Sequence, residues 1–228
     1  MRIAEIYRSV QGEGLLTGVP SVFVRTSGCN LRCWFCDTPY TSWRAEGGDV
    51  STDEIVAQVE EWDSTNVVVT GGEPMLWAEL IPLCRRLHAI GRHITIETAG
   101  TLDLPVVCDL MSISPKFASS APSTEKHPHW SRRHERERYR PEVIRRLVRD
   151  YPYQLKFVVD APRDLDELDA YLANFPEVVR ERVLLMPQGI EQQELEARAL
   201  WLRPYCEANR FVFCPRKHIE WYGPVRGT

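Results

Sequence analysis

Cys29, Cys33 and Cys36 stand in the spacing C-x3-C-x2-C, within the run Gly28-Cys-Asn-Leu-Arg-Cys-Trp-Phe-Cys-Asp37. Such a triplet can hold three irons of a four-iron cluster and leave the fourth without a cysteine. Electron-transfer clusters normally have every iron protected by thiolate. An open coordination position is instead the mark of a catalytic metal centre. The spacing therefore points to a 4Fe-4S cluster that can bind a substrate on its open iron. Zinc is the alternative, but zinc prefers four ligands built from C-x2-C pairs, and no second pair or His follows at a suitable distance. A structural disulfide is disfavoured in a cytosolic chain.

The elements that must position this loop are short β-branched runs alternating with helical patterns. Strands are expected at Ile3–Tyr7, Ser21–Thr26, Asn66–Thr70, His93–Glu97, Leu110–Ser114, Leu155–Val159, Arg182–Met186 and Phe211–Phe213. Helices are expected at Thr52–Trp62, Leu76–Ile90, Arg132–Arg149, Leu165–Ala173 and Gln192–Ala208. The first has a start signal, because Ser51 or Thr52 precedes Asp53 and Glu54, acids that suit a helix N-terminus. Strand-helix alternation implies a parallel sheet with outer helices. Val67-Val-Val69 and Phe157-Val-Val159 are continuously apolar, as strands buried on both faces are. At 228 residues the chain is short for an eight-fold barrel, so a partial, open βα barrel in a single domain spanning 1-228 is expected. Ala118–Ser131 reads as a long loop before a basic helix.

Composition limits the options. The chain is 43% apolar and 26% charged, as soluble globular proteins are, with no signal peptide and no bilayer-length apolar run. It reads as cytoplasmic. Cys84, Cys108, Cys206 and Cys214 lie in apolar or helical surroundings and read as small buried hydrophobes, Cys214 being the nearest to a site. Net charge is −4, but residues 126–149 hold nine Lys or Arg against Glu135, Glu137 and Glu142, a local +6 that leaves −10 elsewhere. Most such runs are solvated helix faces. The functional alternative is docking of an acidic protein, such as a small electron donor. No nucleic-acid motif accompanies the run.

Ligands of barrels and open parallel sheets sit at the carboxyl ends of the strands. Six of the eight expected strands are followed by small, polar or charged groups. These are the cysteine loop, Gly71-Gly-Glu-Pro74, Thr98-Ala-Gly-Thr101, Pro115-Lys116, Pro187-Gln-Gly189, and Arg216, Lys217 and His218.

C-x3-C-x2-C with Phe35 before its last cysteine, followed some 35 residues on by Gly71-Gly-Glu-Pro74, resembles the signature of the radical S-adenosylmethionine superfamily. The resemblance implies that methionine amino and carboxylate groups chelate the open iron. Reduction then cleaves the sulfonium and releases a 5′-deoxyadenosyl radical. Glu73, with its exposed backbone, is suited to the cationic amino group, since ammonium needs acceptors. Alone, the Gly-Gly-Glu-Pro run would be a turn.

The resemblance narrows with Tyr7-Arg-Ser-Val-Gln-Gly-Glu-Gly14, Phe23-Val-Arg25, Cys36-Asp-Thr38, Glu97-Thr-Ala-Gly-Thr101, Ser114-Pro-Lys116, Pro215-Arg-Lys-His218 and Gly223-Pro-Val-Arg-Gly227. Together these are similar to the 7-carboxy-7-deazaguanine synthase family of the queuosine and deazapurine pathways. The family converts 6-carboxy-5,6,7,8-tetrahydropterin to 7-carboxy-7-deazaguanine by radical ring contraction with loss of ammonia. The implied cofactors are the 4Fe-4S cluster on Cys29, Cys33 and Cys36, S-adenosyl-L-methionine and Mg2+. Implied substrate contacts are Val10, Gln11, Gly12, Glu13, Arg25, Thr70 and His218. Arg25 can clamp a carboxylate with two parallel hydrogen bonds, while Gln11 and Glu13 can read a donor-rich ring edge. Implied S-adenosylmethionine contacts are Phe35, Cys36, Asp37, Gly72, Glu73, Ser114, Pro115 and Lys116, and Thr38 is the implied Mg2+ ligand.

Without the resemblance, Gln11-Gly-Glu-Gly14 would be a turn, Thr38 a capping residue and His218 part of a mobile tail. No acid or base is assigned, with Glu13 and His218 as candidates for proton handling. A pterin as small-molecule substrate, a flavodoxin or ferredoxin as electron donor, and a homodimer are also implied. Nucleic acid and membrane are not. Departures from the family pattern are Ala99 where Asn is common, Met186-Pro-Gln-Gly189 in place of a Gln-Pro pair, and a tail reaching Thr228. A glycyl-radical activase acting on a partner protein would share the triplet and Gly-Gly-Glu but has no need of Gln11, Glu13 and Arg25 in a small pocket. A non-enzymatic electron carrier would need a fourth spaced cysteine.

Overall fold

The computed structural model describes all of residues 1–228. In chain order the strands are β1 (Arg2–Val10), β2 (Pro20–Thr26), β3 (Gly48–Asp49), β4 (Asn66–Gly71), β5 (His93–Thr98), β6 (Leu110–Ile113), β7 (Tyr153–Val159), β8 (Val183–Pro187) and β9 (Val212–Phe213). The helices are α1 (Thr52–Glu60), α2 (Leu80–Ala89), α3 (Pro128–Arg138), α4 (Pro141–Asp150), α5 (Asp164–Ala173), α6 (Gln192–Asn209) and α7 (Lys217–Tyr222). All nine strands form one sheet in the order β3-β1-β2-β4-β5-β6-β7-β8-β9. From β2 through β9 every pairing is parallel. The sheet does not close, since β3 and β9 remain edges.

The two-residue period of the strands sorts the two faces. Val22 and Val24, Val67 and Val69, Ile94 and Ile96, Leu155 and Phe157, and Val183 and Leu185 join the main apolar core. There they pack with α1 (Ile55, Val56, Val59), α2 (Leu80, Leu83, Leu87) and α4 (Val143, Ile144, Leu147). Intervening positions Arg25, Thr70, Glu97, Ser112 and Lys156 line a cavity instead. Each fully buried Leu or Ile in that core contributes roughly 1.5–3 kcal/mol, so the outer face holds the fold while the inner face is free for chemistry. The sheet curls, because Gly14 after β1 donates to Cys214 Sγ after β9 and Leu15 donates to Gln154 on β7.

Ser51 caps α1 with a full capping box, accepting from Glu54 N and donating its own N–H to Glu54 Oε2. Four expectations are corrected. The sheet is not wholly parallel: β1 runs antiparallel to β2, and the short β3, which the sequence did not signal, pairs antiparallel to β1. The basic helix expected over Arg132–Arg149 is two helices, and the first begins inside the expected loop, at Pro128. Pro141 lacks an N–H and bars Arg140 from helical geometry, so α3 ends and α4 starts with the proline in its first turn. The helix expected from Leu76 starts only at Leu80, because Pro74–Leu76 form a 3-10 turn and Trp77 is extended. The segment read as a tail around His218 is helix α7. No helix is long and apolar enough to cross a membrane.

Candidate active site

The loops at the carboxyl ends of the parallel strands surround a cavity of about 540 Å³. The cysteine loop follows β2 and is anchored by main-chain bonds. Gly28 N donates to Thr41 O (2.8 Å), and Glu73 N donates to Gly28 O (2.9 Å). Gly28 has φ +109°, a conformation that favours glycine. A Cβ on Gly72 would overlap Gly28 O, so the Gly-Gly turn must be bare for the two loops to touch. Trp43 Nε1 donates to Cys33 O (3.0 Å), and Arg32 Nη1 donates to both Cys29 O and Leu31 O (2.7 Å).

The three cysteines line the cavity and none is in a disulfide. Burial, with the nearby Glu73 charge, pushes the Cys29 thiol up to about 12. Burial likewise pushes Cys33 up to about 12, against the opposing charge of Lys116. Both must lose protons for iron to bind, so cluster assembly releases protons and is pH-dependent. The donor set fits a 4Fe-4S cluster. Three sulfurs converge on one cavity, no fourth cysteine joins them there, and no group of three His, Cys, Asp or Glu closes on a single-ion site.

Behind the loop stands His134, fully buried on α3. Its Nδ1 accepts from Arg32 N (3.2 Å), which puts the proton on Nε2, bonded to Ser120 Oγ (2.8 Å). Burial, aided by Lys116 and Arg138, pushes its pKa down to about 4. The unfolded chain binds a proton at this site below roughly pH 6.5 and the folded chain does not, so stability is lost as pH falls from 6.5 to 4. The expected loss is about 2 kcal/mol. A melting series over that window, compared with His134→Gln, checks it: the variant's curve is the flatter one.

The other wall is a network of charges. Glu13 pairs with Lys156 and, at 3.2 Å, with Arg216, and His218 Nδ1 lies 3.8 Å away. Although burial opposes it, Lys156 and Arg216 hold the Glu13 carboxyl far below the usual carboxylate range. Glu13 therefore stays ionised near neutral pH, an acceptor there rather than a proton donor. Burial pushes His218 down in spite of Glu13, so it is neutral at pH 7 and can accept a proton. Glu97 accepts from Gln11 Nε2 (3.2 Å) and Thr70 Oγ1 (2.7 Å), and Gln11 Oε1 accepts from Glu13 N (3.3 Å). Arg25 donates through Nε to Glu5 (2.7 Å) and through Nη2 to Tyr7 Oη (2.6 Å). Nη1 is the nitrogen left without a partner and is the one open to a substrate carboxylate.

Val10, Gln11, Gly12, Glu13, Arg25, Thr70 and His218 all line the cavity, as do Phe35, Cys36, Asp37, Thr38, Gly72, Ser114 and Lys116. Glu73 and Pro115 do not. Glu73 is fully buried, and its carboxylate accepts from Met75 N (3.1 Å), Thr98 Oγ1 (2.8 Å) and Ala99 N (2.9 Å). That side chain braces two loops, leaving the glycine backbone to face a ligand. Thr38 makes no capping bond, which removes the capping alternative. Lys116 Nζ donates to the carbonyl and hydroxyl of Ser114 (2.7 Å each), so the two side chains present one unit.

Among the cavity residues not singled out as site residues from sequence are Glu97, Lys156 and Arg216. Lys156 carried a signal, a cation inside an otherwise apolar strand. Arg216 is buried, donates to Gly189 O (2.6 Å) and Glu13, and pairs with Asp37 of the cysteine loop. Gly12 abuts His218, so an added Cβ would lie 2.6 Å from its backbone N. Gly12→Ala is expected to cost about 1–3 kcal/mol by displacing α7. A lowered melting temperature checks it, and an unchanged one would show that α7 yields freely.

The radical SAM superfamily profile matches residues 23–148. The chain is 43% identical over 227 residues to the 7-carboxy-7-deazaguanine synthase of Rhodopirellula baltica, covering 99% of this chain and 88% of that protein. It is also 43% identical over 236 residues to that of Halobacterium salinarum, covering 99% and 92%. The fold matches the crystal structure of QueE from Escherichia coli with a TM-score of 0.71 at 24% identity, covering 95% of this chain and 94% of that one. By these matches the chain belongs to the radical SAM superfamily and, within it, to the 7-carboxy-7-deazaguanine synthase family.

Proposed function

We propose that the protein is a carbon–nitrogen lyase, converting 6-carboxy-5,6,7,8-tetrahydropterin to 7-carboxy-7-deazaguanine with loss of ammonia, in queuosine or deazapurine biosynthesis. The observation that carries this reading is one cavity with the three-cysteine loop on one side and the Gln11–Glu97–Thr70 and Glu13–Lys156 network on the other. A small planar molecule bearing a carboxylate and a donor-rich edge suits that wall. The relatives spanning the chain are synthases, so the activase alternative is set aside.

Cys29, Cys33 and Cys36 would hold the cluster, and the Gly71-Gly72 backbone with Ser114 and Lys116 would hold S-adenosylmethionine. Bound together, these cofactors supply a carbon-centred radical able to abstract hydrogen. The protein's part is binding, orientation and exclusion of water. The free Nη1 of Arg25 takes the substrate carboxylate, and the ionised Glu13, with Glu97 beside it, accepts ring N–H groups. Thr38 would supply Mg2+ with a hard oxygen, and the metal would draw the substrate carboxylate toward it. Fixing the substrate in this way can lower the barrier by roughly 7–11 kcal/mol. Neutral His218 stands ready to hold a proton.

The single sheet with one main core supports one domain over 1–228. A cytoplasmic homodimer, served by a flavodoxin or ferredoxin as electron donor, completes the proposal, with no nucleic-acid or membrane partner. The test is anaerobic cluster reconstitution followed by dithionite, S-adenosylmethionine, Mg2+ and the carboxytetrahydropterin, read by mass spectrometry. 7-Carboxy-7-deazaguanine is the expected product. Cleavage of S-adenosylmethionine without it would sink the pterin assignment.

A further inference from the structure

One carboxylate behind the cavity wall is shared by three residues that form the wall. Glu5 stands opposite Arg25 in the β1–β2 ladder, and its side chain is 14% exposed. A register shift between Ile3 and Glu5 turns the strand, so that Ile3 joins the apolar core while Glu5 meets Arg25. Glu5 Oε1 accepts from Arg25 Nε (2.7 Å) and Tyr40 Oη (2.8 Å), and Oε2 accepts from Arg226 Nε (2.9 Å). Arg226 also donates through Nη1 to Glu46 (2.9 Å) and lies over the Tyr40 ring at 4.0 Å. Arg25, Tyr40 and Arg226 line the cavity, and Glu5 and Glu46 do not. Although burial opposes it, the hydrogen bonds from Arg226 and Tyr40 and the charge of Arg25 hold the Glu5 carboxyl below the usual carboxylate range. Glu5 is therefore ionised at neutral pH.

That charge works against a clamp for anions. Arg25 and Glu5 carry +1 and −1 at hydrogen-bond distance, so an anion arriving at Arg25 Nη1 meets a neutral pair. Arg226 on the far oxygen of Glu5 brings the sum of the three to +1. Its second partner, Glu46, is 55% exposed and so opposes it weakly. Beyond Gly223 the chain makes no main-chain hydrogen bond, so the Arg226 side chain is what fastens this segment beside the cavity.

We propose that Arg226 is a positioning residue that sets selectivity for a carboxylate-bearing substrate, acting through Glu5 to offset the charge that Glu5 takes from the Arg25 clamp. Arg25 remains the group that touches the carboxylate. This role rests on the placing of the substrate carboxylate at Arg25 made above.

The test uses reconstituted protein with S-adenosylmethionine and Mg2+, and reads by calorimetry the affinity for 6-carboxypterin and for pterin, which lacks the carboxylate. Arg226 is exposed, and pterin binding reports whether each variant is folded. Arg226→Ala is expected to weaken 6-carboxypterin roughly five- to tenfold and to leave pterin unchanged. In turnover of 6-carboxytetrahydropterin the loss appears in KM, with kcat little altered, as for an interaction made equally in ground and transition states. Arg226→Lys recovers most of the affinity. In Glu5→Gln/Arg226→Ala the amide oxygen can still accept from Arg25 and Tyr40, but the opposing charge is gone. The double variant is therefore expected to bind 6-carboxypterin more tightly than Arg226→Ala alone. A double variant that binds no better, or an Arg226→Ala protein that loses both ligands alike, would overturn the proposal, since the segment would then only shape the cavity. A wild-type preference for 6-carboxypterin that survives Arg226→Ala sinks this role and leaves the substrate reading intact. Wild type with no such preference sinks both.

Discussion

Cys33→Ala is expected to abolish the iron–sulfur absorbance and reduce product formation more than roughly 100-fold, beyond the loss caused by removing a residue that only supports a ligand. The cavity offers three thiols and no spare, because Cys84, Cys108, Cys206 and Cys214 are all absent from its wall. Folding is expected to survive. The bonds that hold the loop run through the Cys33 carbonyl, accepting from Trp43, and through Gly28, and alanine retains both. With its pKa pushed up to about 12, the Cys33 thiol is neutral in the iron-free protein, so its removal deletes no charge interaction. The melting temperature of the iron-free variant is therefore expected to match that of iron-free wild type. Cys84→Ala is the contrasting case. Its side chain is fully buried in the main core, so it weakens the fold while leaving cluster absorbance and turnover intact. A Cys33→Ala protein that kept its cluster and activity would overturn the assignment of the triplet.

The sheet and the cavity were legible because they rest on local signals. Apolar, β-branched runs mark all the long strands, and the strand-end rule then puts the cysteine loop, the Gly-Gly turn, Lys116 and His218 around one space. What stayed hidden depends on partners distant in sequence. Glu73 carried two motif glycines beside it and so read as a ligand, but Thr98 and Ala99, which take up its carboxylate, lie 25 and 26 residues on. Arg216 meets Glu13 and Asp37 across separations of 203 and 179 residues, beyond any local pattern. The antiparallel β1 escaped because a strand's run of residues does not encode its direction. The break at Pro141 is legible in the sequence, since proline closes one helix and opens the next, although basic charge runs on both sides of it.

Arg216→Met should be the costliest single change outside the cluster. Arg216 is buried between two carboxylates, one on the loop after β1 and one on the cysteine loop, so it ties the proposed substrate wall to the cluster wall. Removing one member of a buried ion pair costs about 3–5 kcal/mol, because the partner is left charged and dry. The lower end is expected here. Glu13 keeps Lys156 as a counter-charge, and Asp37, 44% exposed at its side chain, can rehydrate. For a chain of this length, about 3 kcal/mol lowers the melting temperature by roughly 6–12 °C. The pH dependence separates this cause from simple loss of packing. Glu13 has a depressed folded pKa, so its stabilisation is present above the unfolded value of roughly 4.3 and is lost as pH falls below it. Without Arg216 that depression shrinks, so the gap between variant and wild type is widest near neutral pH and narrows in acid. Glu13→Gln added to Arg216→Met should recover part of the stability, by removing the stranded charge, while product formation stays low because neither the acceptor nor the tie to Asp37 is restored. If the double variant is no more stable than Arg216→Met alone, the network contributes through packing rather than charge.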